Sequence, residues 1–404
     1  MNTIHIAIDG NEANILNRVG SNVYAFEILL ELEALLRTRT DIVVTVLLAT
    51  PQIAELPETR TGWKYVIVSP EKFWTQWALP IHLFTHRNVY DIFFTPGHYA
   101  PRLSSIPYIS SVMDTAYLTY PEQFKKSDTI KLTQWTAYSV KHAKKVIAIS
   151  KFTKSEIIKF YGKDPEDIIV AYPSAVLKKI RFEEKQVNAF FRKHTITEPY
   201  FLFIGTIQPR KNIETLIEAF EIYYRMEAGR SLKKKQRLNK NRQNQKPKLI
   251  IAGKIGWLSE PILERIAQSP IKNRIITTGF ITDMEKEILY RHATASCLVG
   301  LYEGFGIPPL ESLYFNTIPI VSNTTSLPEV VGDAGLFADP LNPQEIADQM
   351  WFAATMGTLQ RRNFKKLARE QIKKFNWKLS AEQILTTIVN TVAETKHPTL
   401  KQEL

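Results

Sequence analysis

The chain has 404 residues, 44% of them hydrophobic and 23% charged, enough to build cores for two domains of roughly 150 residues or more. A single cysteine, Cys297, excludes an internal disulfide and fits a reducing compartment, and no run approaches the roughly 18 apolar residues of a membrane span. The formal net charge of +12 points to a polyanion or an anionic membrane surface, subject to where along the chain that charge lies.

The opening residues read as a buried strand over 4–8 rather than a signal peptide. A loop from Asp9 to Asn22 follows, holding Arg18-Val19-Gly20-Ser21-Asn22, and then a helix with Val23, Phe26, Leu29, Leu30 and Leu36 on one face. Strand, glycine-bearing loop and helix is how a Rossmann-type unit begins. Gly20 could bring backbone amides to a phosphate, although G-x-G-x-x-G is absent. Further strands are expected at Ile42–Leu48, Tyr65–Val68, Ile92–Thr95, Tyr108–Met113, Lys145–Ile149 and Ile168–Ala171, with helical patterns between most of them. That alternation predicts a parallel sheet.

His98 and Asp114 each follow one of these strands. Each has a plain reading, His98 as a structural imidazole and Asp114 as a turn or helix cap. Asp164, Glu166 and Asp167 surround Pro165 and read as a turn before they read as a cation site. Ser150 is an expected helix N-cap. Residues 179–198 lose the strand rhythm and carry mixed charge, so the interdomain linker is placed there.

The pattern restarts with a strand at Tyr200–Ile204, a loop from Gly205 holding Arg210 and Lys211, and a helix over Ile213–Tyr224. Two adjacent cations between a strand and a helix N-terminus oppose the helix dipole, and a diphosphate at that point would offset the cost. Between Arg230 and Lys248 lie nine cations and no acid. The segment 230–247 reads as a basic loop, with a solvated loop as the plain alternative. Strands at Lys248–Ala252, Ile275–Thr277, Ala295–Val299 and Ile318–Ser322 follow, with Gly253-Lys254 after the first and Gly279-Phe280-Ile281 after the second.

Tyr302-Glu303-Gly304-Phe305-Gly306-Ile307-Pro308-Pro309-Leu310-Glu311 comes next, and it is the densest chemistry in the chain. Its glycines allow close backbone approach by a ligand, and its prolines suit the first turn of a helix. The helix N-terminus with the amide of Leu310 is an anion site, flanked by carboxylates before and on the helix. A strand-to-helix turn with two solvated glutamates is the plain alternative. Helices at Pro343–Thr355, Gln360–Lys373 and Lys378–Glu394 close the chain. No D-x-D and no His/Cys cluster with metal-ligand spacing occurs, so no metal is expected.

Glu303 and Glu311 in their glycine–proline frame resemble glycosyltransferase family 4, also called group 1. Gly205 with Pro209-Arg210-Lys211-Asn212, Gly253-Lys254, Ser326-Leu327-Pro328-Glu329 and Tyr120-Pro121-Glu122 add to the resemblance, which spans nearly the whole chain. It implies a GT-B fold, α/β, of two Rossmann-like domains facing across a cleft. The domains would be 1–178 and 199–376, and a C-terminal helix from 377 would return to the first. It further implies a retaining, metal-independent, cofactor-free hexosyltransferase of cell-surface polysaccharide or glycoconjugate synthesis. Its donor would be a nucleotide-diphosphate sugar.

In that scheme Arg210 and Lys211 bind the diphosphate, Glu303 faces the donor sugar and Glu311 the ribose. Leu310 offers its amide to a phosphate, the backbone near Phe280 and Ile281 touches the base, and Gly20 closes on the donor. Gly205, Lys254, Gly304, Phe305 and Gly306 line the donor site. The implied partners are a nucleotide-sugar donor and a glycan or lipid-linked acceptor, with no nucleic acid. The implied location is cytoplasmic, in peripheral contact with an anionic membrane. One position departs from the family. Met113-Asp114 stands where many members have His-Asp, so a histidine base is absent and Asp114 is expected in the cleft. A nucleotide-sugar-binding protein without transferase activity is the alternative reading.

Overall fold

Short apolar runs bounded by turn residues give strands that are hydrophobic along their whole length, as sheets covered on both faces require. Val44, Val46, Leu47 and Leu48 are completely buried, as are Phe93, Phe94, Ile250 and Ile251. The computed structural model describes residues 3–396 apart from 19, 98, 177–179 and 235–245. It divides into two units, Met1–Pro173 with Phe375–Leu404, and Ser174–Lys374.

In the first unit the strands are β1 (Ile4–Asp9), β2 (Ile42–Leu48), β3 (Trp63–Ile67), β4 (Ile92–Thr95), β5 (Tyr108–Val112), β6 (Lys145–Ala148) and β7 (Ile168–Val170). The main helices are α1 (Ser21–Leu35), α2 (Leu79–Thr85), α3 (Ala116–Thr119), α4 (Lys126–His142) and α5 (Lys151–Tyr161). A π-helical turn over Trp74–Ala78 leads into α2. The sheet order is β3-β2-β1-β4-β5-β6-β7, and every pairing is parallel. Ser150 caps α5 as expected, accepting the Thr153 N–H at 2.9 Å. Asp164 likewise caps the turn at Pro165–Asp167, accepting the Glu166 N–H at 2.9 Å.

The second unit opens with α6 (Glu184–Lys193), inside the stretch expected to be a linker. Val187 and Phe190 of α6 are buried against Tyr200, Leu202 and Ile288, so part of 179–198 belongs to a core. Mixed charge on the outer face of a short helix concealed its apolar stripe. After it come β8 (Tyr200–Ile204), α7 (Ile213–Lys234), β9 (Lys248–Ala252), α8 (Glu260–Gln268), β10 (Ile275–Gly279), α9 (Asp283–His292) and β11 (Ala295–Leu298). Then come α10 (Ile307–Tyr314), β12 (Pro319–Ser322), α11 (Leu327–Val331), β13 (Leu336–Ala338), α12 (Pro343–Thr355) and α13 (Thr358–Ile372). The order β10-β9-β8-β11-β12-β13 is again all parallel, and β13, hidden among glycines in the sequence, pairs with β12.

The last helix, α14 (Trp377–Lys396), belongs to the first unit and packs on α1, where Trp377 meets Tyr24 edge-on at 5.9 Å. Its Lys396 pairs with Asp91 at 2.7 Å. Among the described residues no helix is long and apolar enough to cross a membrane. The basic segment 230–247 lies largely outside the described residues.

Both sheets reverse strand order beside their first strand, between β1 and β4 and between β8 and β11. Loops leaving those strands at their carboxyl ends diverge and open a crevice, the usual ligand position in doubly wound sheets.

Candidate functional site

At the reversal point of the second unit, the loop after β8 carries Gly205 to Asn212 and the loop after β11 carries Val299 to Gly306. Their backbones are locked together. The Leu301 N–H donates to the Arg210 carbonyl at 2.9 Å. A Cβ on Gly300 would lie 3.1 Å from that same carbonyl oxygen. Asn212, left-handed at φ 56°, donates from Nδ2 to the carbonyls of Val299 at 3.0 Å and Pro340 at 2.7 Å. These bonds fix the 3₁₀ turn Pro209–Lys211, and with it the two cations.

Arg210 and Lys211 converge on Glu303. Lys211 Nζ donates to Glu303 Oε1, and Arg210 Nη1 lies 3.5 Å from Oε2 and 3.4 Å from the Tyr302 carbonyl. Gln208 is buried beside them, and with its amide oxygen toward the guanidinium it accepts from Arg210 Nε at 2.8 Å and Nη2 at 3.1 Å. Lys211 and Glu303 are both buried. Two cations around one carboxylate leave a net positive charge on rigid backbone, removed from bulk water. Such a group attracts a dianion more strongly than the same charges on a surface.

Ser326, completely buried, donates to the carbonyls of Glu303 at 2.8 Å and Phe305 at 2.7 Å. It holds the loop that presents Glu303, Gly304 and Phe305. Gly306 then caps α10 at φ 106°, with Leu327 so near that a Cβ would sit 2.6 Å from its Cδ2. Only glycine fits on both counts. Pro308 and Pro309 occupy the first turn of α10, and Leu310 and Glu311 follow them, buried.

Glu311 has partners that the sequence did not reveal. Lys286 Nζ donates to Oε1 at 2.5 Å and the Tyr290 hydroxyl to Oε2 at 3.2 Å. Both come from α9, one turn apart, and that i,i+4 spacing was the available signal. Burial pushes the Glu311 carboxyl up, with Lys286 and Tyr290 pulling it down. Burial disfavours the Lys286 ammonium, yet the charges and hydrogen bonds of Glu311 and Asp283 together outweigh it and Lys286 is raised. The 2.5 Å contact between Lys286 Nζ and Glu311 Oε1 makes the two an ion pair. Each carboxylate oxygen still has a lone pair with which to accept a hydroxyl.

Close backbone packing shapes the floor of the site. A Cβ on Gly253 would fall 2.0 Å from the Gly205 carbonyl oxygen, so β8 and β9 can end side by side only with glycine there. The Lys254 ammonium lies 5.0 Å from the ring centroid of Phe280, which is exposed just after Gly279. Ile281 packs partly buried against the core that includes Ile288.

The first unit holds the other expected residues. Asp114 Oδ1 accepts the Ala116 N–H at 3.1 Å, in a turn that leads into α3. Met113 is buried, and Gly20, at φ 52°, precedes α1. His98 lies outside the described residues. Asp9, unflagged by the sequence, ends β1 at the reversal point. Burial pushes its carboxyl up to about 7, and Glu12 adds to the rise against hydrogen bonds from Asn11 and Thr95.

Residues 186–371, which contain this whole arrangement of cations and glutamates, match the family of glycosyl transferases group 1. Those residues form a group 1 glycosyltransferase domain. This glycosyltransferase is 28% identical to O-antigen chain mannosyltransferase B of Escherichia coli over 300 residues, 73% of each chain. It is 30% identical to the serotype-specific mannosyltransferase WbdA of Escherichia coli over 237 residues, 57% of this chain but only 27% of that protein. Among solved structures it resembles HepE of Anabaena in complex with UDP-glucose, with TM-score 0.67, 14% identity and coverage of 96% of this chain and 100% of that one. It also resembles WaaG, a glycosyltransferase of lipopolysaccharide biosynthesis, with TM-score 0.65, 14% identity and coverage of 94% and 98%. These likenesses give the glycosyltransferase a GT-B fold.

Proposed function

We propose that the protein is a retaining, metal-independent hexosyltransferase of glycosyltransferase family 4. It would move a hexose from a nucleotide-diphosphate sugar to a glycan or glycolipid acceptor in cell-surface polysaccharide or glycoconjugate synthesis. The observation that carries this reading is the convergence of Arg210 and Lys211 on Glu303 at the carboxyl end of a parallel sheet. The mannosyltransferase relatives make mannose the first sugar to try.

As the bond from the anomeric carbon to the diphosphate lengthens, negative charge gathers on the leaving phosphate. Arg210 and Lys211 are already oriented toward such charge, so little reorganisation is needed when it develops. Glu303 positions both cations and faces the sugar hydroxyls, while Glu311 accepts from the ribose. The acceptor oxygen bonds to the anomeric carbon on the face the phosphate leaves, and its proton passes to the departing phosphate oxygen. No histidine base is needed for that route, which accommodates Met113. Neither a divalent ion nor a cofactor enters it. A lipid-linked acceptor would place the enzyme in the cytoplasm at the inner face of the membrane.

A panel of nucleotide-sugars screened by thermal shift should raise the melting midpoint with one donor, since ligand binding to the folded state stabilises it by mass action. Transfer with that donor should then give a product of unchanged anomeric configuration by NMR. Inversion would refute retention, and loss of turnover in a chelator would refute metal independence. Met113 also favours a second reading, because a thioether cannot accept a proton: a nucleotide-sugar-binding protein without turnover. Donor binding with neither hydrolysis nor transfer would select it.

A further inference from the structure

The helical segment 73–85 of the first unit is apolar on two faces, and only one is used by the fold. Trp74, Ala78, Leu79 and Leu83 point into the core. Phe73, Trp77, Ile81 and Phe84 point outward and are 58%, 66%, 59% and 56% exposed. Spacing of four and three residues keeps Trp77, Ile81 and Phe84 on one stripe, and Phe73 stands just before its first turn. Scattered apolar residues are ordinary on a surface, whereas a contiguous aromatic stripe marks an interaction site. Phe73 sharpens the point. It sits in the left-handed region at φ 58°, a conformation costing about 1 kcal/mol for a residue with a Cβ, yet its ring is largely in water. Pro80 gives no N–H to the turn before it, and the widened π turn sets Trp77 among the outward side chains.

Charge at the ends of the stripe selects the occupant. The Lys72 ammonium lies 5.4 Å from the Phe73 ring centroid, and the Arg87 guanidinium 4.6 Å from that of Phe84. Glu71 is the single acid from Ser69 to Tyr90, and burial with His86 nearby lowers His82 to about 4, leaving it neutral. A second copy docking here by an antiparallel two-fold would set Lys72 against Arg87 of its partner, like charge against like. An anionic surface meets both cations favourably, and Trp and Phe are the side chains that settle at the headgroup boundary.

We propose that this stripe seats the protein on an anionic lipid bilayer, with Trp77 and its neighbours at the acyl boundary and Lys72 and Arg87 among the lipid phosphates. The surface deepens the glycolipid-acceptor reading, since it would hold the enzyme where such an acceptor is found. Binding is measured without donor, so the two can fail separately.

The test is flotation with vesicles of equal parts phosphatidylethanolamine and phosphatidylglycerol. Wild type should float. The triple variant Phe73→Asn, Trp77→Gln, Ile81→Gln should partition about tenfold or more less, with turnover on a soluble acceptor unchanged. The variant Lys72→Glu with Arg87→Glu changes only exposed positions, and its partition onto these vesicles should fall by a comparable factor while its melting midpoint stays put. Wild type that fails to float, or variants that float equally, would overturn the proposal. So would a wild-type dimer in light scattering that the triple variant abolishes, since a second copy would then cover the stripe.

Discussion

Arg210 and Lys211 are adjacent, yet the structure separates their contributions. The Arg210 side chain keeps some exposure, and it donates to the buried Gln208 amide oxygen and to the Tyr302 carbonyl. Arg210→Ala should cost about 2–4 kcal/mol of transition-state stabilisation, read from kcat/KM, and only about 1–3 kcal/mol in chemical unfolding, for the Gln208 amide it leaves unpaired. Lys211 is the main partner of a buried carboxylate. Lys211→Ala should lose turnover and also about 3–5 kcal/mol of stability in urea titration, because Glu303 is left buried and poorly compensated. The sequence predicted both cations but not this difference, since it could not show that Glu303 holds them. Asp9 carries a pH prediction. Its carboxyl is raised from 3.8 to about 7, so the folded chain keeps the proton where the unfolded chain has lost it. The resulting advantage is complete below the unfolded value, declines as pH climbs through that window, and is gone above it. Asp9→Asn should flatten that part of the stability–pH curve measured by urea midpoints. An unchanged slope would show that Asp9 is already ionised in the fold.

At the scale of elements, the site consists of loop ends held by single side chains. Ser326→Ala removes the buried hydroxyl whose proton is shared between the carbonyls of Glu303 and Phe305. It should cost about 1–3 kcal/mol of stability and raise the KM for the donor, because the loop that presents Glu303 loosens. Wild-type KM and melting midpoint together would show that the loop is fixed by other means. The strands, their order of appearance and the glycine–proline frame of α10 were legible because apolar runs and special backbone positions leave marks in sequence. Partners reached across the chain left weaker ones. Lys286 and Tyr290 lie on a helix that reads as an ordinary amphipathic element, and only its contact with α10 reveals that they hold Glu311. The helix α6 was missed because mixed charge on its outer side hid the stripe of Val187 and Phe190. Asp114, expected in the cleft, accepts the Ala116 N–H just before α3. A strand-ending aspartate fits either role, and a hydrogen bond to one of its oxygens is compatible with both.

For the whole molecule, two parallel sheets with order reversal beside their first strands explain why chemistry gathers where it does. In the second unit that reversal brings the loops after β8 and β11 together, and Arg210, Lys211 and Glu303 lie on those loops. The account rests on their acting as a fixed positive group for a departing diphosphate. The most direct test is the initial rate of sugar transfer, with chelator present, for wild type and Arg210→Ala on the donor that gives the largest thermal shift. Wild type should turn over at full rate, with the variant slower by roughly a hundred- to a thousandfold. Equal rates for the two proteins, or a wild type silenced by the chelator, would contradict it.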